Sequence, residues 1–396
     1  TVPGAVRSED DFGLGRLWLS AVVNDAASAR TIDLTGVTVM EPAADRVEAR
    51  ASLDWSVRSL GVRAGDHVVY RAAALDNRGT DMNYEPKGHI AVLATELIDL
   101  VGLQPGDTVI DCTFGAGGHA LLAAEQIGPE GTLIAIDRDP VAKAFFLEFE
   151  ASVKCHTRFI PTEFSEGLNV LQNEGIRADV VYMDFGMSSL QVDAAERGFS
   201  YAHVAPLDMR MDPRQDLTAA VIVNEWPEDR IKQVLRQLGE EKYAGGITRE
   251  IIRRRPLETT ADLVDAIKAG MPTAARFGSG HPARKTFQAL RIAVNGELDA
   301  IDAALPLAWD RLVVGGRMAA ISFHSLEDRR VKQFFAGLAT GCICPPDLPV
   351  CACGNEPEAE LLTRRSTTAD DAELELNPRS RSARLRGALK ITEGRP

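Results

Sequence analysis

The sequence predicts an α/β fold: a parallel sheet with helices on both faces and a helical segment inserted into it. Three observations carry this expectation. Short apolar strands alternate with helical patterns from about Gly88 to Ser200. A glycine-rich turn joins the first of these strands to a helix. The alternation then lapses into Glu/Arg-rich helices before another strand appears near residue 316.

Taken in order, Ile90, Leu93, Leu97 and Val101 recur at helical spacing and stop at Gly102, with a Pro105-Gly106 turn beyond. Strands follow at Thr108-Val109-Ile110-Asp111 and Thr132-Leu133-Ile134-Ala135-Ile136-Asp137, separated by a helix from His119 to Gln126. A helix from Pro140, a short strand near Phe159, a helix near Leu168 and the strand Asp179–Asp184 continue the pattern. Residues 217–271 read as helices, and a helix over 300–312 leads back to the strand Gly316–Ser322. After a helix near Leu326, the runs 361–365 and 383–391 are strand-like and suited to closing the sheet as a hairpin. The boundaries expected are an N-terminal extension over 1–81, a sheet domain over 82–205 and 293–396, and a helical domain over 206–292. Residues 1–81 carry no motif or repeat from which a role can be read.

Composition narrows the class. The 396 residues are 45% hydrophobic and 26% charged, with a net charge of -13, so nucleic acid can be met only by a local basic face. No stretch of 18 apolar residues occurs and the first residues lack signal-peptide features, so a cytoplasmic address and no membrane partner are expected. Residues 245–292 hold nine basic side chains against four acids, and residues 377–396 six against one, each a local net of +5. Two such regions are expected to bind phosphate on either side of a pocket.

The turn Asp111-Cys112-Thr113-Phe114-Gly115-Ala116-Gly117-Gly118-His119 lies between strand and helix, where a helix N-terminus offers free N–H groups. Asp137, at the end of the next strand, is placed for a ribose diol. Spacing alone admits NAD or S-adenosylmethionine; Asp111 favours the latter, because a carboxylate there would repel a pyrophosphate and suits a cationic ligand.

Nine ordered motifs then carry a family resemblance. They are Gly88–Leu93, the turn ending Gly117-Gly118-His119, Ala135–Pro140, Asp184–Ser189, Glu196–Ser200, Pro206–Pro213, Thr286–Asn295, Ile321–Arg329 and Asn377–Ser382. From about residue 82 to 391 the chain resembles the bacterial 16S ribosomal RNA cytosine-N(4) methyltransferases, the small-subunit methyltransferase H family. The resemblance implies a class I methyltransferase sheet (Rossmann-like) and methylation of a decoding-region cytidine, in the small ribosomal subunit or a late assembly intermediate. It puts S-adenosylmethionine on Gly117, Gly118, His119, Asp137, Phe164, Asp184 and Gln191. A DNA amino-methyltransferase and a non-catalytic assembly factor are the competing classes. The first lacks here its Pro-Pro aromatic turn, and the second would be expected to have an eroded glycine turn.

Several departures stand out. Ala116, Leu190 and Lys285 replace Arg, Pro and Arg, and Gly245-Gly246 with Thr248 replaces a better helix former. For chemistry, Asp184 is expected either to accept from the cytosine amine or to hold the cofactor, with Asp208 as a second catalytic candidate in a loop over the acceptor pocket. Arg210, Lys285, Arg291, Asn295, His324 and Arg381 are candidate RNA contacts. Oligomeric state stays open, a homodimer included. Cys342, Cys344, Cys351 and Cys353 suit a structural zinc ion by number, whereas pairs separated by one residue are also compatible with thiols in a surface loop.

Overall fold

The computed structural model describes residues 91–187, 195–276, 281–344, 350 and 352–393, together with six strands within residues 2–83. The chain divides into two compact units, Thr1–His89 and Ile90–Pro396. In the first, Val2–Glu9 pairs antiparallel with Glu48–Trp55. Ala29–Leu34, Leu14–Asn24, His67–Asp76 and Asp81–Asn83 lie side by side, in that order, as an antiparallel sheet.

The second unit is the predicted α/β domain. Its strands are β1 (Thr108–Asp111), β2 (Thr132–Ile136), β3 (His156–Ile160), β4 (Ala178–Asp184), β5 (Leu312–Ser322), β6 (Ala359–Leu361) and β7 (Arg384–Lys390). They lie in the order β3-β2-β1-β4-β5-β7-β6. Pairings from β3 to β5 are parallel, while β7 runs antiparallel to β5 and β6. The two C-terminal strands do pair antiparallel, but β7, the later in sequence, takes the inner place; α13 (Asp371–Leu376) lies in the connection that allows this. Strand order reverses between β1 and β4, and open α/β sheets bind ligands at such a switch point, beyond the strands' C-terminal ends.

Alternation within the strands sorts the core into two layers. Val109, Leu133, Ala135, Val180 and Tyr182 face α1 (Ala94–Val101), α2 (Gly118–Ile127) and α3 (Ala142–Ser152). Ile110, Ile134, Ile136, Val181 and Met183 face α4 (Phe164–Asn173) and the two helices that flank β5, namely α11 (Glu297–Arg311) and α12 (Ser325–Leu338). Because successive strand side chains point to opposite faces, strands buried on both sides read as continuous apolar runs.

Between β4 and α11 come α5 (Ala219–Glu225), α6 (Glu228–Gln237), α7 (Ala244–Arg254), α8 (Thr260–Gly270), α9 (Thr273–Arg276) and α10 (Arg284–Asn295). They enclose their own core, including Ile222, Ile231, Leu235, Ile247, Leu263, Ile267, Phe287 and Leu290. The Gly245-Gly246 pair that weakens α7 intrinsically has a packing reason at Gly246, where a Cβ would meet the Gly270 carbonyl oxygen at 2.2 Å. Glycine lets α7 and α8 approach backbone to backbone. Among the described residues no helix is long and apolar enough to cross a membrane.

Candidate active site

The C-terminal ends of β1, β2 and β4 bring together most of the residues singled out for the cofactor. Asp111 ends β1 with its side chain buried; one oxygen accepts the Thr113 N–H (2.9 Å) and the other the Tyr182 hydroxyl (3.0 Å). Burial, foremost, pushes its carboxyl up to about 7 against those two hydrogen bonds, with Asp137 adding to the rise. Asp137 closes the turn: its oxygens accept the N–H groups of Gly115 (2.7 Å) and Asp139 (2.8 Å). Its carboxyl is raised to about 6, again chiefly by burial.

The glycines have two local reasons besides ligand approach. Gly117 has φ +82°, and a Cβ there would meet the Phe114 ring at 2.8 Å; at Gly118 it would meet the Ala91 side chain at 3.0 Å. Gly117 is the N-cap of α2, with no side-chain cap, so the first N–H groups of α2 point beyond the sheet with no side chain of this turn to bind them. Phe164 opens α4 beside Phe185, ring centroids 6.2 Å apart, which puts an aromatic face next to the end of β4. Gln191 lies outside the described residues.

Asp184 ends β4. Its backbone N–H donates to Thr113 Oγ1 (2.7 Å), a tie between the ends of β4 and β1 that sequence reading missed, although Thr113 sits inside the glycine turn. The side chain is 24% exposed, so it borders an opening. Its Oδ1, however, is sealed from solvent and receives no hydrogen bond among the described residues. Desolvation first, then the charges of Asp111 and Glu327, hold this carboxyl well above the usual range. Next to it, His119 is buried and its Nε2 lies 2.9 Å from the Val92 carbonyl; burial lowers its pKa.

The remaining candidates other than Arg381 lie on the insertion or where it meets the sheet domain, and most are engaged by the protein itself. Arg210 grips Asp208 bidentately (2.7 and 2.8 Å) and gives Nη1 to the carbonyls of Pro213 and Gln215 (2.8 and 2.7 Å). Burial works against the charged form of Asp208, but the Arg210 hydrogen bonds outweigh it and hold its pKa low. Asn295 is buried: its Oδ1 accepts the Met211 N–H (2.8 Å) and its Nδ2 donates to the Met209 and Arg291 carbonyls (2.8 and 2.9 Å). Arg291 is buried too, paired with Glu297 through two hydrogen bonds of 2.8 and 2.7 Å. His324 caps α12 against Glu327, its Nε2 lying 3.0 Å from Oε1. Two further ties went unread in the sequence: Arg197 to Asp139 (2.6 Å), and Arg138 to the Asn295 carbonyl (3.0 Å). Lys285 reaches the Glu240 carbonyl (3.0 Å), and Arg381 is exposed.

Counted charge therefore exceeds presented charge in both basic regions. Arg253 and Arg254 are spent on Glu250, Arg255 on the carbonyls of Val223 and Trp226, and Arg386 on Asp328. The Lys390 ammonium is buried against the carbonyls of Trp309 and Leu312. Arg249, Lys268, Arg284 and Arg381 remain exposed. Of the four clustered cysteines, Cys342, Cys344 and Cys353 come together; Cys351 lies outside the described residues.

Comparison with known proteins matches this arrangement to one family. The sequence profile described as the MraW methylase family matches residues 87–391. The protein named Ribosomal RNA small subunit methyltransferase H of Symbiobacterium thermophilum is 50% identical over 310 residues, covering 77% of this chain and 98% of that protein. Proteins of the same name from Heliobacterium modesticaldum (46% over 308 residues, 76% of this chain and 98% of that protein) and a Paenibacillus species (45% over 314 residues, 76% and 99%) are also similar.

Proposed function

This chain belongs to the MraW methylase family, and on that premise we propose that it transfers a methyl group from S-adenosylmethionine to the N(4) amine of a cytidine in the decoding region of 16S ribosomal RNA. The substrate on this reading is the small ribosomal subunit or a late assembly intermediate in the cytoplasm. The observation that carries it is the Asp184 carboxyl, 24% exposed at the switch-point end of β4 and next to an uncapped helix N-terminus.

The residues present fit the cofactor. The N–H groups at Gly118 and His119 suit its carboxylate, with Gly117, whose own N–H donates to the Phe114 carbonyl (2.8 Å), shaping the turn; Asp137 suits its ribose hydroxyls and Phe164 a face of its base, with Asp184 and Gln191 completing the set. When bound, S-adenosylmethionine supplies an electrophilic methyl on a cationic sulfur. The work left to the chain is positioning, because the lone pair of the cytosine amine is delocalised into its ring and attacks only when held in line. Thr113 fixes the backbone of Asp184, and the exposed edge of the Asp184 carboxyl accepts one amine N–H, which sets the direction of the nitrogen. Protonated in the free protein, that carboxyl could take up the proton the amine loses only once ionised, a state that the positive charge of the bound cofactor would favour.

Asp208, paired with Arg210, is assigned to shaping the loop over the pocket, since a low-pKa, doubly bonded carboxylate is a poor proton acceptor. Arg291, Asn295 and His324 hold the insertion at the angle from which it grips RNA, and Lys285 and Arg381 meet phosphate. Mass spectrometry of small-subunit RNA from cells with and without the gene tests the reading. N(4)-methylcytidine should vanish from one decoding-region position on deletion and return when purified protein and S-adenosylmethionine are added to the deficient subunits. RNA whose modification does not depend on the gene would refute it.

A further inference from the structure

We propose that the loop between α12 and β6 is a zinc site, with one ion held on the sulfurs of Cys342, Cys344 and Cys353. The three sulfurs lie within 4.8 Å of one another, drawn from the two arms of the loop. Cys342 Sγ and Cys353 Sγ are 3.7 Å apart. That is far beyond a disulfide of about 2.05 Å, and it matches the edge of about 3.8 Å of a tetrahedron built on Zn–S bonds of about 2.3 Å.

Hydrogen bonds around the sulfurs are those of a supported ligand set. Cys344 Sγ accepts the N–H groups of Ala352 and Cys353, both at 3.2 Å, so this arm's sulfur is held by the backbone of the other. Cys353 Sγ accepts reciprocally from Ile343 (3.4 Å) and from Asn355 two residues on (3.4 Å). Backbone N–H groups directed at ligand atoms orient them and offset their negative charge, the role that outer-shell partners have in metal sites. Asn355 then bridges the base of the loop, its Nδ2 donating to the carbonyls of Thr340 (2.8 Å) and Gly341 (2.7 Å). Crossed contacts between the arms also explain how pairs separated by one residue reach a common centre: the ligands meet across the loop, not within each pair.

The chemistry selects the ion. An all-sulfur set favours zinc over magnesium or calcium, which take oxygen ligands. Each cysteine enters as thiolate, so loading reduced protein with zinc forms three Zn–S bonds and releases to solvent the protons those thiols carried. The fourth vertex is left to solvent or a further donor. The ion would fasten residues whose apolar side chains lie in solvent, Ile343 at 67% and Val350 at 75% exposed.

Full-length protein purified without chelator should carry about one zinc per chain by elemental analysis. Reduced, metal-free protein titrated with zinc against a chromophoric chelator should bind one equivalent, and with cobalt(II) should develop sulfur-to-metal charge-transfer absorption with tetrahedral d–d bands. Cys344→Ser should weaken zinc binding by more than about 100-fold, beyond the 10–100-fold cost of losing an outer-shell contact. Ile343→Ser, at the exposed residue between two ligands, should keep the ion, and circular dichroism of both variants checks that they fold. Three results would each overturn the proposal: reduced protein that takes up no zinc, iron found in its place, or a folded Cys344→Ser variant that binds zinc with unchanged affinity.

Discussion

His119 turns Nδ1 toward Asp184 Oδ2 at 3.8 Å while its Nε2 sits 2.9 Å from the Val92 carbonyl oxygen. A carbonyl only accepts, so Nε2 carries the proton and Nδ1 is bare. Two acceptors then face each other, an arrangement that is comfortable only if the carboxyl is protonated. The pKa directions agree: burial lowers His119, and burial with Asp111 and Glu327 raises Asp184.

The first prediction follows. In the free protein His119 should be neutral from pH 6.5 upward, as the Nε2–H tautomer, seen by nitrogen-15 chemical shifts. A titration midpoint above 6.5 would show that an ion pair forms instead and that Asp184 is charged.

The pH dependence of stability isolates Asp111. Its folded pKa of about 7 lies above the ordinary 3.8, so the folded state binds more protons in between. Its contribution is fully present below about pH 4 and is lost as pH rises through 7. At about 1.4 kcal/mol per pKa unit this amounts to something on the order of 4 kcal/mol. Asp111→Asn preserves the shape and can still accept from Thr113. Relative to wild type, the variant should therefore gain stability between pH 4 and 8 in urea titrations. A parallel pH profile for the two proteins would contradict the buried, proton-binding carboxyl.

Arg291 and Arg381 should separate folding from RNA contact. Arg291→Ala leaves Glu297 buried with its charge unmatched, a loss of about 3–5 kcal/mol that should lower the melting temperature sharply. Arg381 is exposed on a 3-10 turn, so Arg381→Ala should leave the melting temperature within about 2 °C while weakening subunit binding and reducing its salt dependence. Unchanged stability in Arg291→Ala would remove the structural role given to it.

What was legible in the sequence followed from local pattern. Val109-Ile110 and Val180 to Met183 are apolar on both faces because both faces are covered, so the strands stood out, and the acids at their ends marked the pocket. Partnership was not legible. Arg253 and Arg254 count as two positive charges in a list of residues, but one turn of helix places them on Glu250. Asp208 and Arg210 look like a charged loop available to RNA, yet their bidentate pairing spends each on the other. Asn295 and Met209 are far apart in sequence, so a hydrogen bond between them is invisible until the insertion closes on itself. The strands of the first unit, too, lie in runs of mixed polarity that suggested no element.

Asp184 bears the last prediction, which decides the mechanism. Asp184→Asn keeps an acceptor oxygen and the side-chain volume and stays neutral, the state its raised pKa already favours in the free protein. Asp184→Ala removes the acceptor altogether. A contact made mainly in the transition state lowers kcat at saturating cofactor, whereas a contact to cofactor alone raises the cofactor KM and spares kcat. If Asp184 holds the amine, Asp184→Ala should lose on the order of 10²-fold in kcat on intact small subunits. The Asn variant should fall between, since it positions the amine but takes up a proton poorly. The two variants thus divide positioning from proton transfer: equal losses assign the effect to the proton, and near-normal activity in Asn assigns it to geometry. An Ala variant with normal kcat and only a raised cofactor KM would confine Asp184 to cofactor binding and remove it from the reaction.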